Sequence, residues 1–459
     1  MIAIGIDVSK GRSTVAAVGE GKIILQKPFD VFHNKTEFIN LISFIRKFND
    51  ETCVIMEHTG VYYRIVAEAL CDAGIRVSVV NPVLIRQFGD NTLRKVKTDK
   101  KDSMKIARYA LENREELRYY TTVDTLRDSL KSFVRQFNFE NKSLTAHKNS
   151  FNALLERVFP GIDGIFTSPA KSNGHQKVLD FVTQFWHNDC VSLLSLGKFT
   201  ELYKKFCKKH HYCFYETTAK EIHTLARENL TTMPKNEITQ SLIQNAAKRV
   251  LQNSESVSSL RIQMIELAKR LPEFKTVNDL YGVGETLAAQ LIGEIGDVRR
   301  FESKRSLVAF AGVDPDKDDS GKKVSISGKI SRSGDAILRK AVYQVVECHL
   351  LNSPIDEPVY QFLDKKRSEG KNYYVYMTAA CNKFLRIYYA RVKEFMDSLE
   401  KNLNTEAISI TEAETNTVAT SARIVAVHAV NTKTAFTCGQ DSATQECDTS
   451  GSQGFSLYG

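Results

Sequence analysis

The sequence predicts an α/β domain at the N-terminus, a helical middle built on two long apolar-striped segments, and a mainly helical C-terminal domain. Three observations predict this order. Short β-branched runs alternate with helical patterns over residues 1–111. Apolar residues then recur at 3-4 spacing over residues 124–158 and again from Val250 to Leu271. From Pro272 to about Leu399 the pattern is that of a compact helical domain. At 459 residues the chain exceeds one ordinary core, which also argues for several domains.

The first elements are strands. IAIGIDVS, STVAAVG and KIILQKPF are short, rich in β-branched residues and separated by the turns Lys10-Gly11-Arg12 and Gly19-Glu20-Gly21, so they form an antiparallel meander. Phe38, Ile39, Leu41, Ile42 and Ile45 mark one stripe of a helix over Lys35 to Phe48. Cys53 to Glu57 reads as a buried strand, Val61 to Ala73 as a helix, Arg76 to Val80 as a strand ending at Asn81-Pro82, and Thr98 to Leu111 as a helix. Three hairpin strands followed by alternating helices and strands describe a mixed α/β domain of the ribonuclease-H type, placed at residues 1–123.

Leu126, Leu130, Phe133, Phe137, Leu144, Phe151, Leu154 and Val158 then follow heptad spacing. Val250, Val257, Leu260, Met264, Leu267 and Leu271 do the same further on. Residues 124–271 are therefore expected to form an antiparallel coiled-coil hairpin with an insertion at 160–245, although a generic helical core accounts for the spacing too. The C-terminal domain is placed at 272–399. Residues 400–459, rich in Thr, Ser and Ala, are expected to be a low-complexity, disordered tail.

Composition narrows the function. Apolar content of 42% and charged content of 25% are those of a soluble globular chain, and no run of 18 apolar residues suggests a membrane span. The start, MIAIGIDVSK, lacks the basic region and cleavage site of a signal peptide, so the expectation is cytoplasmic. Nine scattered cysteines do not suggest a disulfide framework. Cys207, His210, His211 and Cys213 are able to ligate zinc, but no second pair follows at finger spacing, and a structural use is favoured. The net charge is +9, and residues 401–459 alone carry −3, leaving +12 on the rest. That excess favours a polyanionic partner.

Four carboxylates stand out. Asp7 interrupts the apolar first strand, Glu57 ends the buried fourth, and Asp99 and Asp102 lie at i and i+3 of a helix, on one face. An acid within an apolar strand is costly to bury unless it meets a cation or a donor. Four converging carboxylates repel one another unless divalent metal neutralises them, which suits Mg²⁺ or Mn²⁺ and two-metal phosphodiester chemistry. Taken singly, each has a plainer use, and Asp99 after Thr98 looks like part of a helix N-terminus.

Further on, the glycine-turned segment Leu280-Tyr281-Gly282-Val283-Gly284 joins two helical patterns in the manner of a helix-hairpin-helix. Such turns present backbone N–H groups of Gly282 and Gly284 to DNA phosphates, and they also serve merely to join helices. A basic, glycine-rich loop follows, in which Lys322, Lys323, Lys329, Arg332 and Arg339 are candidate phosphate contacts, as are Lys97, Lys100 and Lys101 near the carboxylates. Ser320 lies in this loop. By chemistry alone it has no privilege over Ser325, Ser327, Ser331 and Ser333.

In order, G-I-D-V-S-K, M-E-H-T-G and K-T-D-K-K-D-S-M-K-I-A resemble the N-terminal domain of insertion-sequence 110 family transposases, with the related Piv-type DNA invertases. G-V-G-x-x-L-A-A-x-L-I-x-E-I-G-D, A-G-V-x-P, S-G-K and G-K-I-S-R-x-G-D-x-x-L-R look like that family's C-terminal transposase domain. The resemblance covers about residues 1–155 and 270–395. It implies a RuvC-like ribonuclease-H fold whose Asp-Glu-Asp-Asp metal site falls on Asp7, Glu57, Asp99 and Asp102, and a covalent serine nucleophile at Ser320. It also implies donor and target DNA as partners, an element-encoded bridge RNA as guide, assembly as a homodimer or homotetramer, and a bacterial or archaeal, nucleoid-associated setting. The long 160–245 insertion and the tail depart from the family pattern.

Three other readings remain. A Holliday-junction nuclease of the same fold uses metal-activated water and leaves the Ser320 loop unexplained. An actin-like ATPase also opens on I-G-I-D-x-S but needs a second phosphate loop and an adenosine-contacting Gly-Gly segment, and neither is seen. A nucleic-acid-binding scaffold with a dead site is the non-enzymatic reading.

Overall fold

The computed structural model describes residues 1–48, 52–58, 60–88, 98–120, 124–166, 176–314, 330 and 333–402. These fall into two compact units, one reaching Thr125 and one beginning at Leu126.

The first unit is a five-stranded mixed sheet with helices on both faces. Strands β1 (Ile2–Ser9), β2 (Arg12–Gly19) and β3 (Ile24–Phe32) form the expected meander, β2 antiparallel to both neighbours. β4 (Thr52–Glu57) and β5 (Val77–Val80) extend it in parallel, giving the order β3-β2-β1-β4-β5. The meander and the mixed α/β character are those predicted from the sequence, and the structure adds the strand order and the parallel pairing. Gly11, at φ +74°, and Gly21, at φ +67°, supply the left-handed backbone the two hairpin turns need. β3 accommodates Pro28, which has no N–H to donate, because the register slips there: Val15 faces Phe29 while Ala17 faces Gln26.

Strand alternation divides the sheet residues between two cores. Ile2, Ile4, Ile6 and Val8 of β1, with Val54 and Met56 of β4, pack under helices α1 (Lys35–Arg46) and α2 (Tyr62–Asp72). Ala3 and Ile55 face the other way. There they meet Ile85 of α3 (Pro82–Gln87) and Ile106, Ala107 and Ala110 of α4 (Asp99–Glu112). α3 is an addition to the sequence reading, which stopped at Asn81-Pro82. Asn81 caps it by accepting a hydrogen bond from Val83 N, with the proline at the first helical position.

α4 sits unusually close to the sheet. A Cβ on Gly5 of β1 would stand 2.2 Å from the Ser103 carbonyl oxygen and 2.5 Å from Ala107 N. Only glycine lets a helix backbone rest directly on a strand in this way.

The second unit is helical throughout its described residues. The helix α5 (Thr125–Val158) and the helix Glu237–Lys269 are its two long members. Leu130, Val134 and Phe137 share one core with Met264 and Ala268, whereas Phe151, Leu155 and Val158 share another with Ile243, Ala247 and Val250. The two helices therefore run antiparallel. Midway, Asn253 Nδ2 donates to Glu140 Oε2 at 2.6 Å. The first core continues into the C-terminal helices, among them Glu285–Ile295, Ala336–Asn352 and residues 373–402. The second is an aromatic cluster within the region expected to be an insertion, built on Phe181, Phe199, Tyr203 and Phe206. The expected tail beyond residue 402 lies outside the described residues.

Candidate active site

The sheet brings the four predicted carboxylates to one end of one face. The β1–β4 register runs Gly5 to Ile55 and Ile6 to Met56, so Asp7 and Glu57 are the next residues along two adjacent parallel strands. By alternation both share the face of Ala3, Gly5 and Ile55, which α4 covers. α4 begins at Asp99, and Ser103, one turn on, rests on Gly5, so the first turn with Asp99 and Asp102 overhangs the C-terminal ends of β1 and β4. All four are half-buried. Thr98 caps the helix by accepting from Lys101 N at 3.4 Å.

The structure adds three residues that sequence reasoning missed, Arg12, Thr14 and Asp30. Arg12, just past the first hairpin turn, donates from Nη2 to Asp99 Oδ2 at 3.0 Å and from Nη1 to Asp30 Oδ2 at 3.3 Å. Thr14, directly opposite Asp7, donates to Asp30 Oδ1 at 2.8 Å. One guanidinium thus ties the start of α4 to the middle of the meander. The signal lay in the hairpin: Arg12 and Thr14 share the parity that faces α4, and Asp30 pairs with Thr14 across the strands.

Among the described residues, no three His, Cys, Asp or Glu side chains stand close enough together to hold a metal ion. By donor chemistry the four acids nonetheless fit a hard divalent cation, since all are carboxylates placed by the fold toward the carboxyl ends of two parallel strands. Asp99 differs from a converged ligand in being engaged by Arg12.

The Cys207–Cys213 segment has a structural explanation. Cys207 is buried in the aromatic cluster, and burial pushes its thiol above the ordinary range. Tyr212 Oη donates to Asp180 Oδ2 at 2.6 Å, and the His210 ring lies 4.8 Å from that of Phe206.

In the second unit, Ser320, Lys322, Lys323, Lys329 and Arg332 lie outside the described residues, as does Lys97 in the first. The frame around that loop is described. A Cβ on Gly334 would meet the Phe310 carbonyl oxygen at 2.2 Å and Gly312 N at 2.3 Å, so the chain returns to the point where it left. Asp335 N donates to Phe310 O at 2.8 Å, and Arg339 Nη1 to Ala311 O at 2.9 Å. Arg339, predicted as a phosphate contact, therefore also closes this neck. Asp335 caps the helix Ala336–Asn352, accepting from Ile337 N and Leu338 N.

Buried charge links this frame to α5. Glu294 is fully covered, with Lys131 Nζ at 3.6 Å and Arg135 Nε at 3.4 Å, and Arg135 Nη2 reaches Asp335 at 3.6 Å. One turn earlier, Arg127 makes a two-pronged pair with the buried Glu273. The Gly-Val-Gly turn joins the helices Phe274–Asn278 and Glu285–Ile295. Gly282, at φ +79°, packs on the Val345 carbonyl and the His349 ring, while Gly284 opens the second helix facing free space. Lys100 and Lys101 are exposed on α4.

Comparison with known proteins agrees with both halves. Residues 4–160 match a transposase model of the IS110 DEDD type, and residues 275–361 match the Transposase IS116/IS110/IS902 family. The chain is 22% identical over 303 residues to an insertion element IS110 protein of Streptomyces coelicolor, covering 66% of this chain and 72% of that one. It is 22% identical over 399 residues to the pilin gene-inverting protein of Moraxella lacunata, covering 85% and 95%. A solved RuvC from Thermus thermophilus in complex with a Holliday junction aligns at 15% identity and a TM-score of 0.21, over 26% of this chain and 99% of that one.

Proposed function

We propose that this chain, which belongs to the IS110 family of transposases, exchanges DNA strands through a covalent phosphoserine intermediate. DNA cleavage and strand transfer are the activity of that family. The observation that carries the reading is the gathering of Asp7, Glu57, Asp99 and Asp102 at one edge of the sheet.

In this reading the four carboxylates hold Mg²⁺ or Mn²⁺, which when bound neutralises charge at the scissile phosphate and the leaving oxygen. Ser320 is the nucleophile. Its hydroxyl oxygen bonds to phosphorus, the bond from phosphorus to a sugar oxygen breaks, and the proton lost by the serine is matched by one gained on that sugar oxygen. A sugar hydroxyl of the second strand then attacks the same phosphorus and returns the serine to its free form. Arg12, anchored on Asp30, fixes the direction of Asp99.

The remaining assignments follow the same reading. Residues 1–123 carry the carboxylates, 124–271 form a coiled-coil helical hairpin, and 272–399 present the serine beside a helix-hairpin-helix-like turn. Lys97, Lys100, Lys101, Lys322, Lys323, Lys329, Arg332 and Arg339, with Gly282 and Gly284, contact nucleic-acid backbone. An element-encoded bridge RNA supplies sequence choice by base pairing, and the enzyme works as a homodimer or homotetramer in the bacterial or archaeal cytoplasm.

The test is denaturing electrophoresis of the protein after incubation with its DNA and Mg²⁺. Wild type should show a covalent protein–DNA adduct. Ser320→Ala should lose the adduct and keep DNA binding, and Asp7→Asn should lose cleavage. Hydrolysed ends without an adduct in wild type would replace this reading by a structure-specific nuclease using activated water.

A further inference from the structure

The second unit contains a groove of about 1980 Å³ that the proposed chemistry does not use. Its walls come from Lys304, the helix Ala336–Asn352, the helix Pro358–Ser368 and residues 373–402. Six cations line it: Lys304, Arg339, Lys340, Lys383, Arg386 and Arg391. Glu347 is the one carboxylate among its lining residues. Arg339 is committed to the Ala311 carbonyl, but among the described residues the other five have no carboxylate within ion-pair distance. Like charges held around one concavity raise its potential and draw in an anion.

Three aromatic residues, Tyr343, Phe362 and Tyr374, share the walls. Tyr374 is 72% exposed and Val375 beside it 52%, so apolar surface stands open to solvent next to the cations. Cations alternating with exposed aromatic faces fit a strand whose bases are unpaired, because a duplex hides its base faces in its own stack. The groove also adjoins the neck of the serine loop, for Val313, Ile330, Ala336 and Arg339 lie on its wall.

We infer that this groove binds a single DNA strand, with phosphates on Lys340, Lys383, Arg386 and Arg391 and a base stacked on Tyr374. The inference rests on the strand-exchange reading for its choice of DNA.

The experiment measures fluorescence anisotropy of labelled oligonucleotides with the full-length protein across a salt series. A single DNA strand, the duplex of the same sequence and the matching RNA strand are compared. Wild type should bind the single DNA strand more tightly than the duplex. Lys383→Gln/Arg386→Gln should weaken that binding at least tenfold and lower the salt slope by about 1.4, at roughly 0.7 per lost phosphate contact. Tyr374→Ala should weaken single-strand binding and leave duplex binding unchanged. Lys35→Gln/Lys47→Gln, exposed at the two ends of α1 in the other unit, should leave the single-strand preference intact. Tighter binding of the duplex, a loss of RNA binding in the groove variants larger than their loss of single-strand DNA binding, or unchanged affinity in those variants overturns the inference. Failure of the strand-exchange reading is seen separately, as wild-type protein that binds DNA in this assay but forms no covalent adduct.

Discussion

The closest backbone contact in the sheet unit makes Gly5→Ala the most demanding single substitution. The new methyl carbon would stand 2.2 Å from Ser103 O and 2.5 Å from Ala107 N, whereas ordinary contact begins at 3.4 Å. α4 must therefore withdraw by about 0.8 Å to relieve the overlap and about 1.2 Å to restore ordinary contact. Both partners are backbone, so no rotamer change relieves the clash. Overpacking of this kind costs about 1–3 kcal/mol, several degrees in the unfolding midpoint of the unit. The larger effect falls on chemistry. Asp99 and Asp102 ride on α4, Asp7 stays on β1, and a displacement near 1 Å at a reacting centre costs about 10²-fold in rate. The measurements are thermal unfolding, hydrogen exchange of α4 amides, and strand cleavage in Mg²⁺. Faster exchange in α4 with cleavage lost about a hundredfold is expected. A Gly5→Ala protein with wild-type exchange and cleavage would show that α4 does not set the carboxylate spacing.

Other consequences concern the buried charges of the second unit. Arg127→Leu should cost about 3–5 kcal/mol by stranding the buried Glu273, and Arg127→Leu/Glu273→Leu should recover most of it; equal losses in urea unfolding would refute the pair. Burial, reinforced by Asp335, pushes the Glu294 carboxyl above its usual range, while Lys131 and Arg135 pull it back. The folded state thus holds this proton more tightly than the unfolded chain. Its contribution is fully present below the unfolded carboxylate value of about 4.3 and is lost as pH rises through the raised folded value. Stability of wild type relative to Glu294→Gln should therefore fall as pH rises above about 4.3, and a flat difference would refute the burial argument.

Much of the first unit was legible because its signals are local. β-branched runs, glycine turns and the cap at Thr98 act within a few residues, so β1, β4 and α4 appear in the sequence close to where they stand in the structure. The gathering of Asp7 and Glu57 was legible too, since parallel neighbours ending in acids need only the strand order. Arg12 and Asp30 were not, because their meeting depends on a register shifted at Pro28. The short helix α3 hid behind Asn81-Pro82, which reads equally as a turn. Glu294 meets Arg135 across 159 positions, and Arg127 meets Glu273 across 146, distances over which no spacing pattern carries information. Gly282 carries a second constraint the motif does not reveal: its φ is positive and its Cα packs on the Val345 carbonyl and the His349 ring.

The neck where Gly334 meets Gly312 has a consequence for how the enzyme can vary. Two points of a fold held this close can be joined by segments of different lengths, because the frame asks only that their ends meet. Doubling such a loop costs only about 0.6 kcal/mol in closure entropy. On the proposed reading, in which Ser320 eight residues past Gly312 is the nucleophile, each residue inserted between them would add about 3.3–3.6 Å to the reach of that serine, while the helix that begins at Ala336 stays where Asp335 caps it.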